Sequence, residues 1–156
     1  MIIEIAQSKD EPKIAKLDYH IPPSRLGECI RSGQVYVLKD DPTKNGGQDH
    51  RLKAPVVGVL RYSLFWRTIP FLDLLYIDDA YRRQGFGTQM MHDWETEMKK
   101  RGYKYVMTST QADESAWQFY EKLGYHTTPT RVHQRLSQNN LRKRQISCET
   151  TAELSK

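Results

Sequence analysis

The residues with the clearest chemical potential are Arg82-Arg83-Gln84-Gly85-Phe86-Gly87-Thr88. An apolar run, Phe71 to Ile77, precedes them, and a helical pattern with Met91, Trp94 and Met98 follows. The segment therefore reads as a strand, a basic glycine-containing turn and a helix. Glycine lets the backbone approach a ligand closely, because no Cβ intervenes. A helix start offers N–H groups without intrahelical partners and the positive end of the macrodipole. Together these make a seat for phosphate, and Arg82 and Arg83 add fixed positive charge suited to its oxygens. The plainer alternative is a strand-to-helix turn that happens to be basic. Two other phosphate motifs fail on spacing: Met90 stands where the dinucleotide fingerprint needs its third glycine, and no Gly-Lys-Ser/Thr follows for a P-loop.

A second stretch runs from Asp113 to Tyr125. Asp113 has the character of an N-cap, Ala116, Phe119, Tyr120 and Leu123 recur at helical spacing, and Gly124 suits the position after a helix. Taken alone, this is a short amphipathic helix capped at both ends. Asp73 is the one acid within the run Phe71–Ile77. Strand alternation puts it on the face of Leu75 and Ile77, where apolar surroundings would raise its pKa and suit a general base. The competing role is a strand acid facing solvent or paired with a neighbour such as Arg61. The five histidines show no metal-ligand spacing, and Cys29 and Cys148 are too few and too far apart for a disulfide framework or a zinc site. Cys29 reads as a small buried apolar residue.

Two patterns now stand in order: Arg-x-x-Gly-x-Gly after a strand, and, about 30 residues on, Ala-x-x-Phe-Tyr-x-x-x-Gly-Tyr. Across roughly residues 1–126 the chain resembles the GNAT superfamily of acyl-CoA-dependent N-acyltransferases. The resemblance implies acetyl-CoA as acyl donor, no metal, and direct transfer to an amine in a ternary complex without an enzyme nucleophile. It implies that backbone groups of Leu75, Tyr76 and Ile77 pair with pantetheine. Amides from Arg82 through Arg83, Gln84, Gly85, Phe86 and Gly87 to Thr88 would hold the pyrophosphate. Asp113 and Ala116 would border the cofactor, although relatives often carry Asn where this chain has Asp113. Tyr120 matches the tyrosine that protonates the leaving thiolate in many relatives, and core packing is its plainer role. Either Asp73 or a water chain would serve as base.

The implied fold is α/β (mixed α+β): a mostly antiparallel central sheet flanked by helices and splayed around acyl-CoA. The sequence supplies matching elements. Ile2, Ile3 and Ile5 suggest a strand, Asp10-Glu11-Pro12 and the vicinity of Pro23-Ser24 suggest helix starts, and Val35 to Leu38 suggests a second strand. Residues 40–54 read as a polar loop. Pro55 to Trp66 and Phe71 to Ile77 should form a hairpin turning at Arg67-Thr68, because the gap is too short for a crossover. A helix from about Gly85 to Arg101 buries Met90, Met91, Trp94 and Met98, and Tyr105 to Thr108 follows as a strand parallel to the fourth.

Residues 127–156 depart from this pattern. They are polar and basic, with aliphatic residues that never alternate over a strand's length, so the reading is a 1–126 transferase domain and an atypical, disordered 127–156 tail. Of the net charge of +5, residues 127–156 hold six basic and two acidic residues. A nucleic-acid role through Arg131, Arg135, Arg142, Lys143 and Arg144 is disfavoured, since no aromatic residues interleave them. No run is long and apolar enough to span a bilayer, and Met1-Ile2-Ile3-Glu4-Ile5 lacks the basic region of a signal peptide. The expectation is a cytoplasmic enzyme with a small-molecule or protein amine acceptor, a homodimer being among the expected assemblies. The alternative is a non-catalytic acyl-CoA-binding or regulatory module.

Overall fold

The computed structural model describes residues 1–40, 54–111, 116–127 and 143–149. The chain divides into two compact units, Met1–Ser63 with Asp73–Thr96, and Leu64–Leu72 with Glu97–Lys156.

In the first unit β1 (Ile2–Ile5) pairs antiparallel with β2 (Val35–Lys39), and β2 with β3 (Val56–Phe65). The strand β4 (Ile69–Ile77) lies next to β3. Between β1 and β2 run α1 (Glu11–Leu17) and α2 (Pro23–Arg31). Each helix has a proline in its first two positions, where the missing N–H is not needed. Gly33, at φ +67, takes the left-handed conformation after α2. Ala6, Ile14, Leu26, Ile30, Val35, Val37 and Val59 form the buried core, with Leu17, Cys29 and Leu74 packed against it. The buried stripe of α3 (Phe86–Lys100) adds Met90, Met91 and Trp94, and the rings of Trp94 and Tyr62 lie 5.7 Å apart. Burying such side chains supplies about 1.5–3 kcal/mol each.

The second unit contains the hairpin turn. It forms at Trp66 and Arg67, which take φ +50 and +62, one residue earlier than the sequence suggests. The start of β4 pairs in parallel with β5 (Tyr105–Gln111) at Phe71↔Met107 and Leu72↔Thr108. The parallel strand–helix–strand arrangement read from the sequence is therefore present. The helix α4 (Ala116–Lys122) follows, and Gly124 at φ +87 ends it. Then come β6 (His126–Thr127) and β7 (Lys143–Glu149). Here the sequence reading needs correction. The 127–156 tail contains a strand, and β7 pairs antiparallel with β5 over seven residue pairs, from Tyr105↔Glu149 to Gln111↔Lys143, and with β6. Backbone hydrogen bonds on both sides sustain this strand without a long apolar alternation. The sheet is mostly antiparallel and the fold mixed α/β, as read. Residues 41–53, most of the stretch 40–54 read as a polar loop, and residues 128–142 lie outside the described residues, and no helix among the described residues is long and apolar enough to cross a membrane.

Candidate active site

The basic turn is a sequence of backbone constraints. Asp78 opens a 3-10 turn (Asp79–Tyr81), its side chain accepting from the Ala80 N–H at 3.1 Å. The backbone is extended at Arg82 (φ −67, ψ 160) and then takes positive φ at Arg83 (+60) and Gly85 (+85). Nothing lies within 4 Å of where a Gly85 Cβ would stand, so glycine is needed there for its dihedral angle. The Gln89 N–H donates to the Gly85 carbonyl and begins the α3 ladder. The amides of Phe86, Gly87 and Thr88 thus precede the ladder and have no intrahelical acceptor. Gln84 and Tyr81 brace the turn, Gln84 Nε2 donating to the Ala80 carbonyl at 3.0 Å and the Tyr81 hydroxyl to Asp40 Oδ2 at 2.9 Å. That bond to an anion raises the Tyr81 pKa.

Before the turn, β4 comes very close to β3. A Cβ on Gly58 would stand 2.8 Å from Ile77 Cδ1, 3.1 Å from Leu38 Cβ and 3.1 Å from the Tyr76 carbonyl oxygen. The Asp78 N–H donates to the Val57 carbonyl at 2.8 Å. Tyr76 and Asp78 therefore aim their backbone groups at β3. By strand alternation, the backbone N–H and C=O of Leu75 and Ile77 point away from β3. Of the three residues nominated for pantetheine, Tyr76 thus has its backbone engaged on the other side.

Asp73 sits at the exposed edge of an ionic cluster whose other members, Arg61 and Asp18, are buried. Its Oδ2 accepts from Arg61 Nη1 at 3.1 Å and its Oδ1 from Ser63 Oγ at 3.0 Å. Arg61 Nε also donates to Asp18 Oδ2 at 2.6 Å, and the Asp18 side chain is fully buried. One guanidinium thus serves two carboxylates, and Asp73, 22% exposed at its side chain, is the more open. Burial pushes the Asp73 carboxyl above the usual range, the Ser63 bond and the Arg61 charge pull it down, and Asp18 pushes it up; the net shift is upward. Burial likewise raises the Cys29 thiol, as suits a packing residue.

In the second unit Tyr120 of α4 is buried, 8% exposed, with its ring centroid 5.2 Å from Phe119 and 5.6 Å from Tyr125. Its carbonyl accepts from the N–H groups of Leu123 and Tyr125, which closes the helix end. Ala116 is the first residue of α4, and Asp113 lies outside the described residues. Among the described residues no three His, Cys, Asp or Glu side chains converge as metal ligands would.

The sequence profile of the acetyltransferase (GNAT) family matches residues 7–125. The chain belongs to that family. Its fold is similar to solved GNAT structures. Ard1 from Thermoplasma volcanium gives a TM-score of 0.71 at 17% identity, with 95% of this chain and 96% of that one covered. A GNAT acetyltransferase from Elizabethkingia anophelis with acetyl-CoA bound gives 0.64 at 14%, covering 95% and 97%. N-acetylglutamate synthase from Neisseria gonorrhoeae, complexed with coenzyme A and N-acetyl-glutamate, gives 0.72 at 14%, and this chain, 95% covered, spans only 34% of it. No curated protein sequence matches the chain.

Within this GNAT frame, sequence reasoning missed two supports. Asp18 follows the last residue of α1, where the helix dipole disfavours an acid. Its misfit to that position was the available signal that it is paired elsewhere. Tyr81 and Asp40 are 41 residues apart, and no local pattern announces their bond.

Proposed function

We propose that this GNAT protein transfers an acetyl group from acetyl-CoA to a primary amine by direct attack in a ternary complex. The observation that carries the reading is the end of β4 and its turn: backbone groups of Leu75 and Ile77 directed away from β3, leading to Arg83 at φ +60, Gly85 at φ +85 and the open N–H groups of α3. Pantetheine, an extended amide chain, would pair with the first as an added strand does, and the pyrophosphate would sit on the second. Asp73 would take the proton of the incoming ammonium, directly or through water. Tyr120 would protonate the leaving thiolate. Acyl transfer needs a neutral amine, an oriented carbonyl and this proton delivery. The test is incubation with acetyl-CoA and a panel of amines, small molecules and peptides, reading released thiol. Thiol release that requires an amine supports the proposal. Tight cofactor binding with no turnover on any amine would return the non-catalytic acyl-CoA-binding module instead.

A further inference from the structure

The two adjacent arginines of the turn are not equivalent. Arg82 is committed to the protein. Its Nε donates to the Ile77 carbonyl at 2.8 Å, its Nη1 lies 2.8 Å from Asp79 Oδ1, and its guanidinium carbon stands 5.5 Å from the centroid of the Tyr76 ring. Three contacts thus fold the side chain back over the end of β4. The Nε contact takes the last carbonyl that β4 directs away from β3, and Asp79 offsets the charge. Both side chains are exposed, but Arg83, unlike Arg82, has no hydrogen bond or ion pair among the described residues. Its backbone holds φ +60, a region that non-glycine residues rarely adopt, next but one to Gly85. A cation held at strained backbone, with no partner among the described residues, fits a ligand contact better than a packing role.

We infer that Arg82 is a positioning residue that closes the end of β4 and shapes the turn, and that Arg83 is the cation that meets the cofactor's phosphate. The inference rests on the reading of this turn as the coenzyme A site. It limits what β4 offers to pantetheine. Leu75 presents its N–H and carbonyl, whereas Ile77 presents only its N–H while Arg82 stays in place.

Glutamine decides between a geometric and an electrostatic role for Arg82. Its Nε2 is the same number of bonds from Cα as the arginine Nε, so Arg82→Gln keeps a donor for the Ile77 carbonyl and removes the charge. The experiment compares Arg82→Ala, Arg82→Gln, Arg83→Ala and Arg83→Gln in the full chain. Amide hydrogen exchange across residues 78–89 is measured without ligand, and coenzyme A affinity is measured at two salt concentrations. Arg82→Ala should speed exchange in the turn and weaken coenzyme A, and Arg82→Gln should restore both towards the parent. Arg83→Ala and Arg83→Gln should leave exchange unchanged, weaken coenzyme A alike by roughly tenfold, the size of a charge-assisted hydrogen bond, and flatten the salt dependence. Failure of glutamine to rescue position 82, or full affinity in the Arg83 variants, overturns the inference while leaving the cofactor assignment standing. If the parent does not bind coenzyme A, the functional reading fails and the Arg83 role with it. The exchange data then still decide whether Arg82 holds the turn.

Discussion

Asp73 illustrates how one side chain can carry two opposed demands. Arg61 and Ser63 hold its ionised form, while burial favours the neutral one, and the net shift is upward. A folded-state pKa above the usual carboxylate value means that the folded protein binds this proton more tightly than the unfolded chain does. Its contribution to stability is then fully present below the ordinary pKa of 3.8 and is lost as pH rises through the folded value. Catalysis runs the other way, because a base must be ionised. The expected result is a turnover that rises with pH through the raised Asp73 pKa, and an Asp73→Asn variant in which that acid limb disappears from the pH–rate profile. An unchanged limb would assign the proton to a water chain. At position 120 the expectation concerns turnover alone. Tyr120→Phe keeps the ring against Phe119 and Tyr125, so packing persists, while loss of the proton donor should lower kcat by ~10²–10⁴-fold. Cofactor affinity should stay constant if the hydroxyl acts chiefly in the transition state. A matched fall in affinity and kcat would show that the hydroxyl binds cofactor and does no acid chemistry. Asp73 was nominated from the sequence as the one acid in an apolar run, with Arg61 among its possible partners, and Tyr120 from its match to a family motif. The Asp18 contact could not be read in advance, because Asp18 meets Arg61 only when β3 and the end of α1 are folded.

At the scale of elements, β4 is shaped by what β3 leaves out. Gly58 admits Ile77 and the Tyr76 carbonyl to distances that no side chain would allow. In Gly58→Ala the Ile77 methyl at 2.8 Å can rotate away, but Leu38 Cβ and the Tyr76 carbonyl, both at 3.1 Å, belong to the two neighbouring strands. The strand must therefore shift. Overpacking of this kind typically costs about 1–3 kcal/mol. The shift falls on the residues proposed to meet pantetheine, so coenzyme A affinity should fall along with the urea midpoint. Unchanged affinity in a destabilised variant would detach Leu75 and Ile77 from the cofactor. Elements with a strong periodic signal were readable in advance. The Met90, Met91, Trp94 and Met98 stripe defines α3 to within a residue at each end, and all four side chains are buried. The close approach at Gly58 was not readable. A glycine within Val57-Gly58-Val59 resembles any strand glycine until the strand beside it is known.

For the whole chain, β7 changes what the C-terminal residues are expected to do. Read as a sequence, Lys143-Arg-Gln-Ile-Ser-Cys-Glu149 offers only Ile146 and Cys148 in alternation. Strand pairing, however, is made by backbone groups that every residue but proline carries, so a polar strand flanked on both sides leaves little trace in composition. The family profile itself ends at residue 125, before this strand. A chain shortened to end at Thr128 tests which view of the tail governs. It would strip β5 of a partner along seven residue pairs and β6 of its pairing at His126 and Thr127. The exposed edge of β5 would then present unpaired N–H and C=O groups, a known route to aggregation. The expected outcome is a lower melting temperature and loss of a single cooperative transition in the second unit, seen as faster amide exchange in β5. Ile146→Pro in the full-length chain should reproduce this, because proline removes a ladder donor while the tail's charge is retained. That control also separates pairing from electrostatics, since residues 127–156 hold six basic and two acidic residues. Salt-dependent binding of RNA or DNA lost on shortening but kept in Ile146→Pro would assign the tail's arginines a role of their own. If the shortened chain melts at the parent's temperature with β5 still protected, the pairing contributes nothing to stability. Residues 1–126 would then fold as a domain without the strand that follows them.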